Sequence, residues 1–163
     1  MENTEPRWLN SEEHDAWMAL MGVFMRLPTA LDAQLQRDAG LSHFEYGILA
    51  GLSEAPERTL RMSTLAVLAE GSLARLSQAV GRLEKRGWVS RCPDPADGRY
   101  TLAVLTEQGW AKIVESAPGH VERVRTLIFD SLTRAQVRQL HEIGRRITTA
   151  IDPDNPCPTH RSA

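Results

Sequence analysis

From Ser72 to Arg86 apolar residues recur on one helical face, and Gly87 halts the pattern just before two strand-like runs. No other stretch restricts the fold as tightly. With Leu73 set at zero and about 100° per residue, Leu76, Val80 and Leu83 fall at about 300°, 340° and 280°. They make one apolar face, centred at about 320°. Ala74, Gln78, Lys85, Arg82 and Arg75 fall at about 100°, 140°, 120°, 180° and 200°, on the opposite side. The strand-like runs are Trp88–Cys92 and Tyr100–Leu105, and residues 93–99 between them carry Pro93, Pro95 and Asp97-Gly98, the chemistry of a hairpin loop.

Helical patterns surround this unit. A first helix is expected from Asn10 or Ser11, with Glu13 placed to reach back to Asn10. Its stripe is Trp17, Leu20, Met21, Phe24, Leu27, Leu31 and Leu35; Pro28 should kink or split it, and Gly40 closes it. Ser42 and Glu45 open a second helix that ends at Ala55-Pro56. Thr59 to Met62 reads as a short strand, after which Ser63 caps a short helix and Glu70-Gly71 turns the chain into the cap Ser72. Thr106 caps a helical segment to about Asp130, interrupted at Pro118-Gly119. Thr133 and Gln136 open the last helix, striped by Val137, Leu140, Ile143, Ile147 and Ile151. The class expected is mainly α with a small β wing.

Helix, short helix, turn, helix and hairpin is the order of a winged helix-turn-helix. Between Arg61 and Arg99 stand seven basic residues and four acids, a balance of +3, which leaves −5 on the remainder of a chain whose net charge is −2. A basic centre between acidic flanks suits a lobe that reads duplex DNA on an acidic scaffold. The outward helix face supports that reading, because Gln can pair with adenine, Arg with guanine, and Lys or Arg with phosphate. On the hairpin, Arg91 stands at the base and Arg99 at the tip, where a guanidinium can enter a narrow minor groove. Asp97 either holds Arg99 or simply favours the turn.

Several motifs carry a resemblance: Gly40-Leu41-Ser42 with Glu45-Tyr46, Leu52-Ser53-Glu54, and Leu60-Arg61-Met62-Ser63-x-Leu65-Ala66. Then come Ser72-x-x-Arg75-Leu76-Ser77, Arg82-Leu83-Glu84-x-Arg86-Gly87, Asp97-Gly98-Arg99 and Leu105-Thr106-x-x-Gly109. From about Trp17 to Ile151 the chain resembles the multiple antibiotic resistance regulator (MarR) family. The resemblance implies a winged-helix DNA-binding lobe at 41–105 and a helical dimerisation lobe from 10–40 and 106–151, with 152–163 a disordered tail. It implies a homodimer on palindromic double-stranded DNA, usually a repressor released by a small ligand. By resemblance Arg75, Ser77, Gln78 and Arg82 read or grip the major groove and Arg99 the minor groove. Ser63, Ser72, Ala74, Lys85, Arg91 and Asp97 complete the candidate DNA contacts.

The resemblance also points to a cleft for a phenolic or carboxylate effector, lined by His14, Trp17, Met21, His43 and Tyr46, although ordinary packing accounts for each of them as well. His120, after Pro118-Gly119, could mark a kink near that cleft. No two of the five histidines are spaced as a metal-binding pair, and neither Cys92 nor Cys157 completes a metal set or a disulfide framework, so no metal or cofactor is expected. Cys92 reads as a packed hydrophobe and Cys157 as a tail residue. No phosphate loop, nucleophile elbow or metal triad is present, so no catalytic residue is expected and the chain is not read as an enzyme. The first fifteen residues have no signal-peptide pattern and no run suits a membrane span, so a cytoplasmic protein is expected. The alternative is a winged-helix module that binds protein; it calls for an apolar or acidic outward face on the 72–86 helix, which the sequence does not have.

Overall fold

Asn10 accepts a hydrogen bond from the Glu13 N–H while the Glu13 carboxylate accepts one from the Asn10 N–H, and α1 (Ser11–Ala39) begins there. This computed structural model describes residues 6–153. Of the kink or split expected at Pro28, the split is absent, and α1 runs through it as one helix. Gly40 ends the helix in the left-handed region at φ 64°. Ser42 and Glu45 form the second reciprocal cap, opening α2 (His43–Glu54). A 3₁₀ turn over Pro56–Arg58 leads to β1 (Thr59–Arg61) and α3 (Met62–Leu68). Here the cap differs from expectation. Arg61 occupies the N-cap position with no side-chain capping bond, and Ser63 lies within the helix. The strand runs straight into the helix, which leaves no free turn for a serine to cap.

Ser72 opens α4 (Leu73–Lys85) by accepting from the Arg75 N–H. β2 (Val89–Asp94) and β3 (Asp97–Leu105) are longer than the expected strands, because pairing continues to Asp94 opposite Asp97. The sheet is antiparallel in the order β1-β3-β2. α5 (Glu107–Val124) carries Pro118 without interruption; the irregularity comes later, as a π turn over Arg125–Phe129. Thr133 and Gln136 cap α6 (Arg134–Ile151), as expected. The described part of the expected tail is short, and 154–163, with Cys157 and His160, lie outside the described residues.

The chain divides into two units, one up to Val121 and one from Glu122. In the first, a single core joins Leu41, Ile48, Leu49 and Leu52 to Leu65 of α3, Leu76, Val80 and Leu83 of α4, Val89 and Leu105 of the sheet, and Ile113 of α5. Only the end of the α1 stripe, Leu31 and Leu35, is buried in this unit; Trp17 and Phe24 are exposed. In the second unit, none of α6 is buried, and Leu140, Ile143, Ile147 and Ile151 stand in solvent. Arg145 and Arg146 converge on Glu142 there and hold its carboxyl down at about 2.

The joint between sheet and α5 explains one glycine. The Thr106 hydroxyl donates to the Gly87 carbonyl at 2.6 Å and accepts from the Gly109 N–H at 3.0 Å, and Gly87 itself has φ 75°. A Cβ on Gly109 would overlap the Trp88 carbonyl oxygen and lie 2.7 Å from Leu105 Cδ1. Gly109→Ala should therefore destabilise the fold by about 1–3 kcal/mol or more, the cost of overpacking against backbone. Urea denaturation checks this, and a midpoint equal to wild type would contradict the tight joint.

Candidate nucleic-acid interface

The buried face of α4 is Leu76, Ala79, Val80 and Leu83, all at 0% exposure. Fixing that face turns Ala74, Gln78 and Lys85 outward, and all three are exposed. Leu73, placed by helical phase at the edge of the apolar face, is 55% exposed because it begins the helix, before the core closes over it. Gly81 shares the outward side, and an added Cβ there meets nothing in the chain within 4 Å. Ser77 is half-buried; Ser72 and Ser63 are exposed at or near their helix starts.

The two arginines on the edge of this face are held by α2. Arg75 stacks over the Phe44 ring, its Cζ 4.2 Å from the centroid. Arg82 Nε donates to Glu45 Oε1 at 2.7 Å. Burial raises the Glu45 pKa, but the Ser42 N–H and the Arg82 guanidinium outweigh it, and the net value lies below that of an ordinary glutamate. Glu45 thus caps α2 with one oxygen and anchors α4 with the other. Sequence gave it only the first role, because a contact across 37 residues leaves no local pattern. The same arginines, with Gln78, line a cleft of about 650 Å³ whose other wall is Pro28, Thr29 and Asp32 of α1 and Ser42, His43 and Phe44 of α2.

On the wing, Arg99 is 83% exposed and bonds Asp97 through Nη2 at 2.6 Å, so Asp97 holds Arg99 as well as shaping the turn. Arg91 bonds Glu84 through Nε and Nη2, tying β2 to α4. Arg61 bonds Asp94. Three of the four acids in the basic centre therefore pair with three of its arginines, whereas Lys85 forms no ion pair among the described residues. Glu84, Asp94 and Arg61 are contributors that sequence did not single out.

The five residues named for an effector cleft do not meet within one chain. His43 and Tyr46 gather at His120, with ring centroids 5.8 and 4.4 Å from it. His14 lies near the start of α1, beside Asp15. Asp32, which accepts from the His43 N–H, is eighteen residues further along α1, a rise of about 27 Å. Trp17 and Met21 lie between, exposed and half-buried respectively.

An amphipathic helix with an amide and cations outward, followed by a two-stranded wing tipped with arginine, defines a winged helix-turn-helix DNA-binding protein. A sequence profile of the MarR family matches residues 39–99. The crystal structure of Sco3205, a MarR family transcriptional regulator from Streptomyces coelicolor solved in complex with DNA, is 46% identical; the match covers 93% of this chain and 95% of that one, with a TM-score of 0.88. AbsC, a MarR family transcriptional regulator from the same organism, is 34% identical over 91% of this chain and all of that one, with a TM-score of 0.85. An uncharacterized HTH-type transcriptional regulator of Bacillus subtilis, YdcH, is 26% identical over 78% of this chain and 80% of its own length. The chain belongs to the MarR family of DNA-binding transcriptional regulators.

The histidine cluster has a pH consequence. Burial and the neighbouring His43 lower the His120 pKa below its ordinary 6.5. The unfolded chain then takes up this proton before the folded one does, so stability is full above about pH 6.5 and falls as pH drops toward the folded-state value. Thermal melts between about pH 7 and about pH 5.5 should show a decline that is smaller in His120→Asn. An identical decline in the variant would exclude His120 as its source.

Proposed function

We propose that this regulator binds a palindromic duplex as a homodimer, acts as a repressor, and is released by a small phenolic or carboxylate molecule. The observation that carries the DNA half is the outward face of α4, with Gln78 and Lys85 exposed beside the anchored Arg75 and Arg82, next to a wing that projects Arg99. Gln78 and Arg75 read base edges, Ser77 and Arg82 support them, and Lys85 and Arg91 hold phosphates. Ala74 and Gly81 leave room for close approach, while Ser63 and Ser72 offer hydroxyls near helix starts. Arg99, steadied by Asp97, enters the minor groove. That Sco3205 was crystallised with DNA supports this assignment.

The dimer half rests on apolar surface. The exposed Trp17, Phe24 and Met25 of α1, and separately Leu140, Ile143 and Ile147 of α6, would be covered by a second copy. The helices at 10–40 and 106–151 are accordingly assigned to the dimerisation lobe and 41–105 to the DNA lobe. Two recognition helices related by a twofold axis then lie about 34 Å apart, one turn of DNA. The effector is placed in the cleft shared by His43 and the edge of α4, where an anion pairing with Arg75 or Arg82 would withdraw it from DNA. His14, Trp17 and Met21 join such a site through the dimer, and Tyr46 through its contact with His120. Among the described residues no helix is long and apolar enough to cross a membrane. The protein is assigned to the cytoplasm, where its DNA target lies, and its role is binding, not catalysis.

Footprinting on the DNA upstream of its own gene, followed by titration of the protected duplex at several salt concentrations, tests the DNA reading. Log affinity should fall steeply with log salt, by about 0.9 per phosphate contact, and a flat line would contradict the surface. Sedimentation equilibrium should give twice the 18.2 kDa chain mass.

Gly81 gives a two-sided prediction. Gly81→Ala should stabilise the fold by about 0.5–1 kcal/mol, since a helical glycine is replaced in open space. It should weaken operator binding at the same time. A variant that gains stability and keeps full affinity would place Gly81 off the interface.

A further inference from the structure

Beyond Arg61, the wing loses its third strand. β1 pairs with β3 only from Thr59 to Arg61, the last pair being Arg61 with Leu102, so residues 93–101 continue as a two-stranded hairpin end. Isolated two-stranded ribbons are marginal in water. At this point Arg61 reaches across. Its Nε and Nη2 lie 2.8 and 2.7 Å from the same oxygen of Asp94 on β2, and its guanidinium stands 4.4 Å from the Tyr100 ring on β3.

Asp94 is the centre of the turn. Its side chain is 8% exposed, and its other oxygen accepts from the Ala96 N–H at 2.9 Å. The Ala96 N–H, against the cost of burial and with the help of Arg61 and the Asp97 N–H, holds this carboxyl below the usual aspartate value. Asp94 sits opposite Asp97, where the strand register shifts, and Asp97 grips Arg99. A connected line of polar contacts thus runs from the start of α3 to the wing tip.

We propose that the Arg61–Asp94 pair is a brace that sets the angle of the wing, making Arg61 a positioning residue for Arg99 that acts without touching DNA itself. This rests on the reading of Arg99 as a DNA contact. Arg61 is the N-cap residue of α3, so the brace ties the tip to the helix-turn-helix. Without it, Asp94 is left as a largely buried carboxylate lacking its counter-charge, and the ribbon re-forms around water.

A double-mutant cycle on an operator duplex tests the brace. Arg61→Gln should lower affinity by roughly tenfold, comparable to Arg99→Ala. The double variant should bind no worse than Arg99→Ala alone, since the brace acts only through that residue. In the Arg99→Ala background, adding Arg61→Gln should leave the salt slope unchanged, whereas a lost phosphate contact would flatten it by about 0.9. Arg61→Lys keeps a cation beside Asp94 and should recover part of the affinity; it replaces Arg61→Gln in the cycle if the latter unfolds at the assay temperature. Multiplicative losses in the double variant, a flattened slope, or unchanged affinity in Arg61→Gln would each overturn the brace. Failure of the wild-type protein to bind any duplex would overturn the DNA reading, and the brace with it.

Discussion

Everything at the interface depends on burying one side of α4. Leu76, Ala79, Val80 and Leu83 are fully enclosed by α2, α3 and the sheet, and a helix that hides four residues so completely cannot rotate. Its opposite face is determined by that burial alone. A full rotation step of one residue, about 100°, would bring polar side chains into the core at a cost far above the stability of a small domain. Hydrophobic packing, which has no preference for any ligand, therefore decides which side chains a ligand meets.

Polar contacts refine what packing sets. Glu45 reaches α4 from the first turn of α2, Glu84 reaches β2 from α4, and Arg61 reaches the wing from the start of α3. Each joins two elements that already share the core. None of these pairs is fully exposed on both sides, and Glu45 and Asp94 are nearly closed off from water. Pairs of that kind hold direction more than they add stability.

Much of this was legible in the sequence, and the residues that were not share a cause. Reciprocal caps at Asn10, Ser42 and Thr133 lie within four residues, and the structure contains all three. The phase of α4 and the hairpin after Gly87 are equally local, and both are present. The failures involve neighbours that local pattern does not supply. Pro118 interrupts no helix, Pro28 does not split the one it lies in, and Ser63 does not cap a helix that grows directly from a strand. Arg61 with Asp94 and Arg82 with Glu45 are separated by 33 and 37 residues, so only the fold reveals them. The stripes of α1 and α6 were legible as apolar, but helical periodicity does not say whether the covering surface comes from the same chain.

The guanidinium at the wing tip is already occupied. Arg99 is bound by Asp97 through two nitrogens, and Arg91 by Glu84 in the same way. On the proposed reading of Arg99 as a DNA contact, the Asp97 carboxylate takes the Nε and Nη2 edge of the guanidinium and leaves Nη1 for a duplex, so the side chain is ordered before it meets one. A duplex meeting such a tip bears little of the entropy cost of ordering that side chain, because the fold has already borne it.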